Sequence, residues 1–387
     1  MKQKKRKEPL SAYGILGVLF LAVLLLFGTL NLVLPDRAFS ETENRMLEQK
    51  PQLRLSGILD GKYMKNFEKY QTDQFFGRDS WIRIRTTADR LLGKNKSGDV
   101  YLGKNGQLYE EPAAITEDTW ENLDAVYAFA KRHPEVSHYM MLVPGAAGIL
   151  PEGLPAYAPV EDQMEQLAHI RAYLGNAVVQ IPVEEALSEH KEEYIYYRTD
   201  HHWTTLGAYY AYEQAAQVMG LNPKLLMEPC EVTHQFDGTL SARSGYQVPL
   251  DTISLYRPLE EEKLVVTYVA EQKKSASLYA SKKLETKDKY GVFLDGNHPL
   301  TEIRTMAESD RRLLLIKDSY ANCFVPFLTS RFREIVLVDP RYYYGELETL
   351  LEEKGITDVL YLYNLNTFVE DDVLHFVLEK QADVTEA

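Results

Sequence analysis

Two short polar segments of this sequence contain residue types that work together in acid–base and nucleophilic chemistry. The first is the string Asp200-His201-His202-Trp203, which stands just before a predicted helix over 204–219. In an extended segment residues i and i+2 point the same way, so the Asp200 carboxylate is expected beside His202, where it can hold the imidazole in one tautomer. Thr204 is expected to cap the helix, and the bulky Trp203 is expected to lock the loop.

The same string has two other interpretations. Asp200, His201 and His202 could ligate a metal, but three consecutive residues surround one ion poorly, and no distant cluster completes the set. We therefore expect no metal site. Alternatively, the string is a structural loop that contains a hydrogen-bonded histidine. The residues alone leave catalysis and a structural role about equally open.

The second segment contains Ser319. It follows the apolar run at 312–317, so a strand enters a turn with Ser319 at the mouth of a helix predicted from about Tyr320. That is the layout of a nucleophile elbow, in which backbone N–H groups and the helix dipole face developing negative charge. The flanking glycines of that motif are absent, and a serine at this place is commonly an N-cap. Together with Asp200 and His202, however, Ser319 completes a nucleophile, base and acid.

Other polar residues also follow predicted strands. Asn364 ends the strand at 358–363, where an amide could donate into an oxyanion hole or cap a loop. Arg341, followed by Tyr342, ends the neighbouring strand and could pair with an active-site carboxylate, bind substrate or lie on the surface. The string at 295–299 reads only as a turn.

The elements around these segments must position them. From residue 117 onward helical and strand patterns alternate, which predicts an α/β fold with a parallel sheet covered on both faces. Ligands of such sheets bind at the carboxyl ends of the strands. The strands are predicted at 136–143, 177–183, 312–317, 334–338 and 358–363, and the helices at 118–132, 161–174, 204–219, 346–354 and 369–380.

Two regions depart from this alternation. Residues 225–300 are rich in turn formers and short β-prone runs, which predicts a β-rich insertion. The N-terminal region 35–110 contains an amphipathic helical stretch from Gly57 to Leu92 and an Asn105-Gly106 pair between apolar residues, which is a strong hairpin signal.

Composition excludes several classes of protein. The chain has 387 residues, 45% of them hydrophobic and 26% charged, with a net charge of −14. Because residues 1–8 hold five basic residues and one acidic residue, Glu8, residues 9–387 carry a net charge of −18. So acidic a body repels phosphate backbones, which argues against nucleic acid as a partner. Two cysteines, Cys230 and Cys323, can form at most one bridge and no disulfide scaffold.

The N-terminus has the pattern of a membrane anchor. Residues 13–34 are almost wholly apolar, and a helix needs roughly 20 such residues to cross a bilayer. The basic residues within 1–8 predict a cytoplasmic tail, which leaves everything after Pro35 outside. A cleaved signal peptide is the rival interpretation, but the apolar core of a signal peptide is usually shorter, and no Ala-x-Ala site follows the run here.

The Asp200–Trp203 string spells the DHHW signature, and the chain resembles the DHHW family of Gram-positive extracytoplasmic proteins, related to SGNH-like alginate O-acetyltransferases. The resemblance covers nearly the whole chain beyond the anchor, and DHHW together with KDSYAN is fairly specific. Its supporting strings are SETENRMLEQKPQL (40–53), DQFFGRDSW (73–81), GKNGQLY (103–109), LLLIKDSYANCFVPFL (313–328) and VDPRYYYGE (338–346).

The resemblance implies a three-layer α/β/α SGNH-hydrolase-like domain over 111–387, circularly permuted because Ser comes last of the three. It implies Asp200 and His202 as acid and base and Ser319 as nucleophile, with His201 in the variable middle position. The oxyanion hole would be the Ser319 N–H plus an amide of Asn322 or Asn364. Lys317 stands where the SGNH pattern has Gly, which is a departure at this hole.

The function implied by the resemblance is acetyl transfer to a cell-wall or secreted polysaccharide, without a cofactor. A membrane-bound O-acyltransferase would supply the acetyl groups. Two alternatives stay open: a carbohydrate esterase that uses the same three residues, and a non-catalytic scaffold or glycan-binding subunit of a polysaccharide export complex.

Overall fold

The computed structural model describes residues 12–40, 45–54, 57–58, 61–260 and 262–379. The chain divides into two compact units, residues 1–87 and 88–387. The basic tail predicted at 1–8 lies outside the described residues. All three predicted members of the acid, base and nucleophile set fall in the second unit.

The first unit is mainly helical. Helix α1 spans Ala12–Val33, β1 (Phe39–Ser40) pairs with β2 (Arg45–Met46), and α2 (Lys62–Gln74) and the start of α3 (Arg78–Leu91) follow. Helix α1 is almost wholly apolar and none of its residues is buried, and it is long and apolar enough to cross a membrane. A signal sequence would have the same properties.

The stretch predicted as one helix from Gly57 to Leu92 is divided into α2 and α3; residues 59–60 lie outside the described part. Gly77 takes a left-handed backbone conformation, with φ of 68°, which glycine adopts without the steric penalty of a Cβ. The helix is interrupted there, and Phe75 and Phe76 lie in the connection.

A small antiparallel sheet opens the second unit. Its strands are β3 (Lys96–Ser97), β4 (Val100–Leu102) and β5 (Leu108–Glu110). The predicted Asn105-Gly106 turn joins β4 to β5, and both residues have positive φ, 57° and 78°. The sequence places this sheet in the N-terminal region 35–110, whereas in the structure it belongs to the second unit.

The centre of the second unit is a mixed sheet of eight strands. The remaining strands of the chain are β6 (Ser137–Val143), β7 (Val179–Gln180), β8 (Met227–Phe236), β9 (Asp251–Pro258), β10 (Val265–Tyr268), β11 (Lys273–Ser275), β12 (Leu300–Arg304), β13 (Arg312–Lys317), β14 (Glu334–Val338) and β15 (Asp358–Asn364). Strands β8 and β9 form a two-stranded antiparallel sheet, and the other eight are ordered β11-β10-β12-β14-β13-β15-β6-β7. The five from β14 to β7 run parallel, as predicted, so the carboxyl ends of β13, β15 and β6 meet at one edge.

Alternate residues of the central strands enter two separate cores. In β13, Leu313 and Leu315 belong to one core and Leu314 and Ile316 to the other. The sheet is therefore buried on both faces, as expected for this mixed α/β fold. The helices of the second unit are α4 (Glu117–Arg132), α5 (Ala146–Ile149), α6 (Gln163–Leu174), α7 (Glu184–Glu189), α8 (Thr205–Val218), α9 (Thr239–Ser244), α10 (Leu347–Lys354), α11 (Leu365–Glu370) and α12 (Leu374–Leu378).

Some elements differ from the prediction. Two 3₁₀ turns, Ser319–Cys323 and Val325–Leu328, replace the helix predicted from Tyr320, and Pro326 lacks the backbone N–H that an α-helix would use. The helix predicted at 369–380 is divided into α11 and α12, because the Asp371 carboxylate accepts the N–H groups of Val373 and Leu374 and so competes with the helical pattern.

The region predicted as a β-rich insertion is β-rich, but it is not wholly separate from the sheet. Strands β10 and β12 extend the central sheet by antiparallel pairing, with β11 at its edge. Cys230 and Cys323 are both free, and Cys323 is buried.

Candidate active site

Ser319 lies at the carboxyl end of β13, at the edge where β15 and β6 also end. Asp318, the residue before it, caps the 3₁₀ turn, because its carboxylate accepts the Tyr320 N–H at 2.8 Å. The same carboxylate accepts the Asn364 N–H at 2.9 Å. The cap of this turn is therefore Asp318 and not Ser319. The hydroxyl of Ser319 is left available for another partner.

The loop that contains the DHHW string is fastened to this turn. Trp203 is fully buried and pairs with Tyr196 across the loop, and its Nε1–H donates to the Tyr320 carbonyl at 3.0 Å. The Tyr320 hydroxyl donates to the His201 carbonyl at 2.5 Å in return. These two hydrogen bonds join segments that lie more than 100 residues apart, so Trp203 holds the loop as expected.

Asp200, His202 and Ser319 form one hydrogen-bonded chain. His202 Nδ1 lies 2.5 Å from Asp200 Oδ1, and His202 Nε2 lies 2.8 Å from Ser319 Oγ. Because a carboxylate only accepts, the proton belongs on Nδ1, and Nε2 accepts from the serine hydroxyl. Asp200 and His202 are 3% and 5% exposed, and Ser319 is half-buried. This geometry can activate a serine for attack on a carbonyl carbon.

The Asp200 carboxylate is held on both sides. Its Oδ1 accepts from His202 N–H and Nδ1–H, and its Oδ2 accepts from the backbone N–H and the hydroxyl of Thr239 at 2.8 and 3.0 Å. Burial alone would raise the pKa of Asp200. The charges of His202 and His201 and these hydrogen bonds reverse that effect and hold the pKa well below its usual range, so Asp200 stays ionised.

The ring of His202 lies between two other rings. Tyr290 stacks on one side with centroids 3.8 Å apart, and its hydroxyl donates to the Ser319 carbonyl at 3.2 Å; the His201 ring lies 4.0 Å away. Burial and the charge of His201 lower the pKa of His202 to about 4, although Asp200 opposes them. The imidazole is therefore neutral near pH 7, which is the form that can accept a proton.

Three supporting residues have no signal in the sequence. Tyr290 is one of 26 tyrosines. Gly238 approaches the acid so closely that a Cβ built there would lie 2.3 Å from Asp200 Cβ, so any larger residue would displace the carboxylate. The buried Asp251 accepts the N–H and hydroxyl of Thr199, just before the string, and fixes the start of the loop. All three come from the region predicted only as an insertion.

Both predicted oxyanion amides are engaged elsewhere. The Asn364 amide donates to the Val143 carbonyl at 3.2 Å, while its oxygen caps α11. The Asn322 amide donates to Asn297 Oδ1 at 3.0 Å, and its oxygen accepts from Lys317 at 2.9 Å. Asn297 lies in the segment that the sequence suggested was only a turn, yet it also accepts from Lys317 at 2.9 Å.

Arg341 pairs with a carboxylate that is not part of the hydrogen-bonded chain. Its guanidinium makes two hydrogen bonds to the buried Asp339, at 2.8 and 2.6 Å, and Lys317 approaches the same carboxylate at 3.6 Å. The exposed Tyr342 ring lies 5.5 Å from the guanidinium. Arg341 therefore supports the edge of the sheet next to Ser319, and the structure shows no contact between it and Asp200, His202 or Ser319 among the described residues.

A metal ion would compete with the hydrogen-bonded chain. Ligand atoms of Asp200, His201 and His202 lie within 4.8 Å of one another. Both ring nitrogens of His202 are already engaged, however, and His201 Nδ1 contacts Thr239 Oγ1 at 2.9 Å. These residues fit a hydrogen-bonded chain better than a ligand set, because ion binding would require His202 to leave Asp200 or Ser319.

Comparison with known proteins agrees with the motifs. The crystal structure of a DHHW family protein from Eubacterium siraeum is 26% identical, with a TM-score of 0.62 over 73% of this chain and 97% of that one. PatB1 of Bacillus cereus, 19% identical, shares the fold with a TM-score of 0.61 over 70% of this chain and 98% of that one. A probable alginate O-acetylase, AlgJ of Pseudomonas fluorescens, is 25% identical over 245 residues, which are 58% of this chain and 60% of that protein.

The chain thus spans about 60% of the length of that curated relative. The family model described as DHHW protein matches residues 134–338, which is more than half of the chain and includes both Asp200–Trp203 and Ser319. The family resemblance suggested by the motifs is confirmed: this chain belongs to the DHHW protein family.

Proposed function

We propose that this protein is an O-acetyltransferase that acts outside the membrane on a polysaccharide hydroxyl. The observation that carries the proposal is the 2.8 Å contact between Ser319 Oγ and His202 Nε2, continued by the hydrogen bond to Asp200. The relative named a probable alginate O-acetylase suggests both the acetyl group and the polysaccharide acceptor.

Each half-reaction uses the same three residues. First, Ser319 Oγ attacks the acetyl carbonyl carbon while His202 Nε2 takes the hydroxyl proton; the bond to the donor's leaving group breaks, and His202 returns the proton to that group. Second, His202 takes the proton of a sugar hydroxyl, whose oxygen attacks the acetyl-serine. The ester bond to Ser319 breaks, and Oγ recovers the proton.

The oxyanion formed in each step needs donors. In the part of the chain that the structure describes, the Ser319 N–H has no protein acceptor, as expected for the first residue of a helical turn. We assign the first donor to this N–H. A second donor would be the side-chain amide of Asn322 or Asn364, whose NH₂ group carries two N–H bonds; Asn364 uses one of its two on the Val143 carbonyl.

The proposal includes the place of the protein in the cell. Helix α1 would be an uncleaved anchor, because its apolar run is longer than the core of a signal peptide. Its N-terminus would lie in the cytoplasm, because five basic residues precede the run. A membrane-bound O-acyltransferase would deliver acetyl groups to the outer domain. The order Asp200, His202, Ser319 along the chain suggests a circularly permuted SGNH-like domain with an insertion at about 225–300.

The test is a search for the acetyl-enzyme. The full-length protein in detergent is mixed with a reactive acetyl ester, and we expect an increase in mass of one acetyl group that peptide mapping places on Ser319. Ser319→Ala should lose the adduct, and Ser330→Ala, an exposed serine elsewhere, should keep it. An adduct on another residue would refute the assignment. Release of acetate without transfer to added glycan would favour the esterase.

The pH dependence of the reaction should follow His202. Since its pKa is lowered to about 4, the base stays neutral until the pH falls to that range, and kcat/KM should decline on the acid side near pH 4 instead of near the usual ~6.5. The measurement is ester turnover by the full-length protein over a pH series in which it remains folded.

His201 offers a matched variant for this profile. His201→Gln removes a charge that lowers the pKa of His202, so the acid limb should move to higher pH, whereas His298→Gln should leave it in place. Glu110 and Asp200 raise the pKa of His202 and are unchanged in both variants. A wild-type limb at the ordinary histidine pKa would contradict the prediction.

A further inference from the structure

Three partly exposed aromatic side chains lie in the connection between α2 and α3 and in the first turn of α3. Phe75, Phe76 and Trp81 retain 38%, 39% and 45% of their surface. Their rings surround Phe27 of α1, with centroids 6.0, 6.1 and 5.7 Å from its own. We name Phe75, Phe76 and Trp81 the aromatic elbow. Its position beside α1 decides what surrounds it.

The contact with Phe27 sets the depth of the aromatic elbow. Phe27 lies six residues before Val33, the last residue of α1, which is about 9 Å along the helix axis. Helical side chains lean toward the N-terminus, so the Phe27 ring lies still farther from that end. The whole helix is about 33 Å long, close to the ~30 Å hydrocarbon core of a bilayer. When α1 spans a membrane, the rings that touch Phe27 lie within the leaflet.

Polar contacts lie farther from the centre of the bilayer than the rings that touch Phe27. Tyr70 donates to Asp36 at 3.0 Å, and the Arg37 N–H donates to Gln74 Oε1 at 2.9 Å, both beyond the end of α1. The Phe76 N–H, which lies at the aromatic level, donates to Asn31 Oδ1 at 2.7 Å, so this backbone group does not need water. Aromatic rings followed by polar groups are the order of a membrane interface.

The charge of the neighbouring helices also suits a lipid surface. The chain beyond residue 8 is strongly acidic, but residues 61–87 are basic. They contain six basic residues (Lys62, Lys65, Lys69, Arg78, Arg83 and Arg85) and three acidic ones (Glu68, Asp73 and Asp79). Amphipathic helices with aromatic anchors and an excess of Lys and Arg bind in the plane of anionic membranes.

We propose that the aromatic elbow inserts into the leaflet at the C-terminal end of α1, and that α2 and the start of α3 lie on its anionic headgroups. The inference rests on the proposed role of α1 as an uncleaved anchor. With this arrangement, the first unit is held to the outer surface at two places, the transmembrane helix and the aromatic elbow.

Tryptophan fluorescence tests this proposal. The full-length protein is reconstituted in phosphatidylcholine–phosphatidylglycerol vesicles, with and without bromine on the acyl chains, which quenches only tryptophan that enters the leaflet. The chain has three tryptophans, Trp81, Trp120 and Trp203, and Trp203 is fully buried. We expect brominated lipid to quench part of the emission, Trp81→Phe to lose that part, and Trp120→Phe to keep it.

Flotation of the same vesicles distinguishes a failure of the proposed membrane anchor from a failure of the proposed insertion of the aromatic elbow. If the protein floats with the vesicles but Trp81→Phe is quenched as much as the wild type, the aromatic elbow is not inserted and only this inference fails. If Trp81 is shielded from both brominated lipid and an aqueous quencher, a protein surface covers it, and the inference also fails. If the full-length protein does not float, the anchor and the inference fail together.

Discussion

Replacing Ser319 by alanine should reduce kcat/KM for acetyl transfer by about 10⁴-fold or more, the loss typical of removing an enzyme's serine nucleophile. His202 Nε2 would keep its place beside Asp200 but would have no hydroxyl to activate. The fold should not change, because Asp318 and not Ser319 caps the turn. The measurements are ester turnover, transfer to a glycan and the thermal unfolding midpoint of the full-length protein.

Two further variants make the result specific. His202→Ala should cause a similar loss, and the double variant should lose little more than either single one, because residues that act in one step are not additive. Ser330→Ala should behave as the wild type. If Ser319→Ala leaves glycan acetylation in cells intact while deletion of the protein abolishes it, the chain is a structural subunit of the acetylation system and not its catalyst.

The hydrogen-bonded chain of Asp200, His202 and Ser319 could be anticipated from the sequence because each member depends on local pattern. The i, i+2 spacing placed Asp200 beside His202, and the end of an apolar strand placed Ser319 at the edge of a parallel sheet. Local pattern does not show that the two segments meet. In the structure the Trp203–Tyr320 hydrogen bond joins them, a contact that spans 117 residues.

The supporting residues could not be anticipated from the sequence, because their contacts also join segments that are distant in the chain. Gly238, Asp251 and Tyr290 come from a region of turn formers and short β-prone runs, and their roles depend on close approach to the loop and not on their neighbours in the chain. By residue type, Asn322 and Asn364 both suit an oxyanion donor. Which acceptor an amide takes, however, is decided by the tertiary packing around it, and here both have protein partners.

In the fold as well, local pattern predicts some features and tertiary pairing decides the others. Alternation of helices and strands was enough to predict a sheet buried on both faces, because that pattern reflects burial. The antiparallel edge formed by β10, β11 and β12 was not predicted, since their short β-prone runs are compatible with either a separate ladder or an extension of the sheet. Only the pairing of Leu300–Arg304 with β14 decides between the two.

In the proposed mechanism Asp200 is a positioning residue that acts through His202, and Asp200→Asn should also reduce kcat/KM strongly, by about 10⁴-fold. The carboxylate accepts four hydrogen bonds, two from His202 and two from Thr239, whereas an amide has one accepting oxygen. If its NH₂ faces His202, it favours the tautomer with the proton on Nε2, which cannot accept from Ser319. If its NH₂ faces Thr239, two N–H donors face each other, and the backbone N–H of Thr239 loses its acceptor.

A measurement other than activity distinguishes the role of Asp200 in orienting His202 from a general loss of structure in the variant. A short Nδ1–H to carboxylate hydrogen bond gives a strongly deshielded proton resonance, which should be present in the wild type and lost in Asp200→Asn. Asp237→Asn, which alters a carboxylate paired with Lys287, should keep both the resonance and the activity. If Asp200→Asn loses the resonance but retains most of its acetyl transfer, the carboxylate does not orient the base, and Ser319 must be activated in another way.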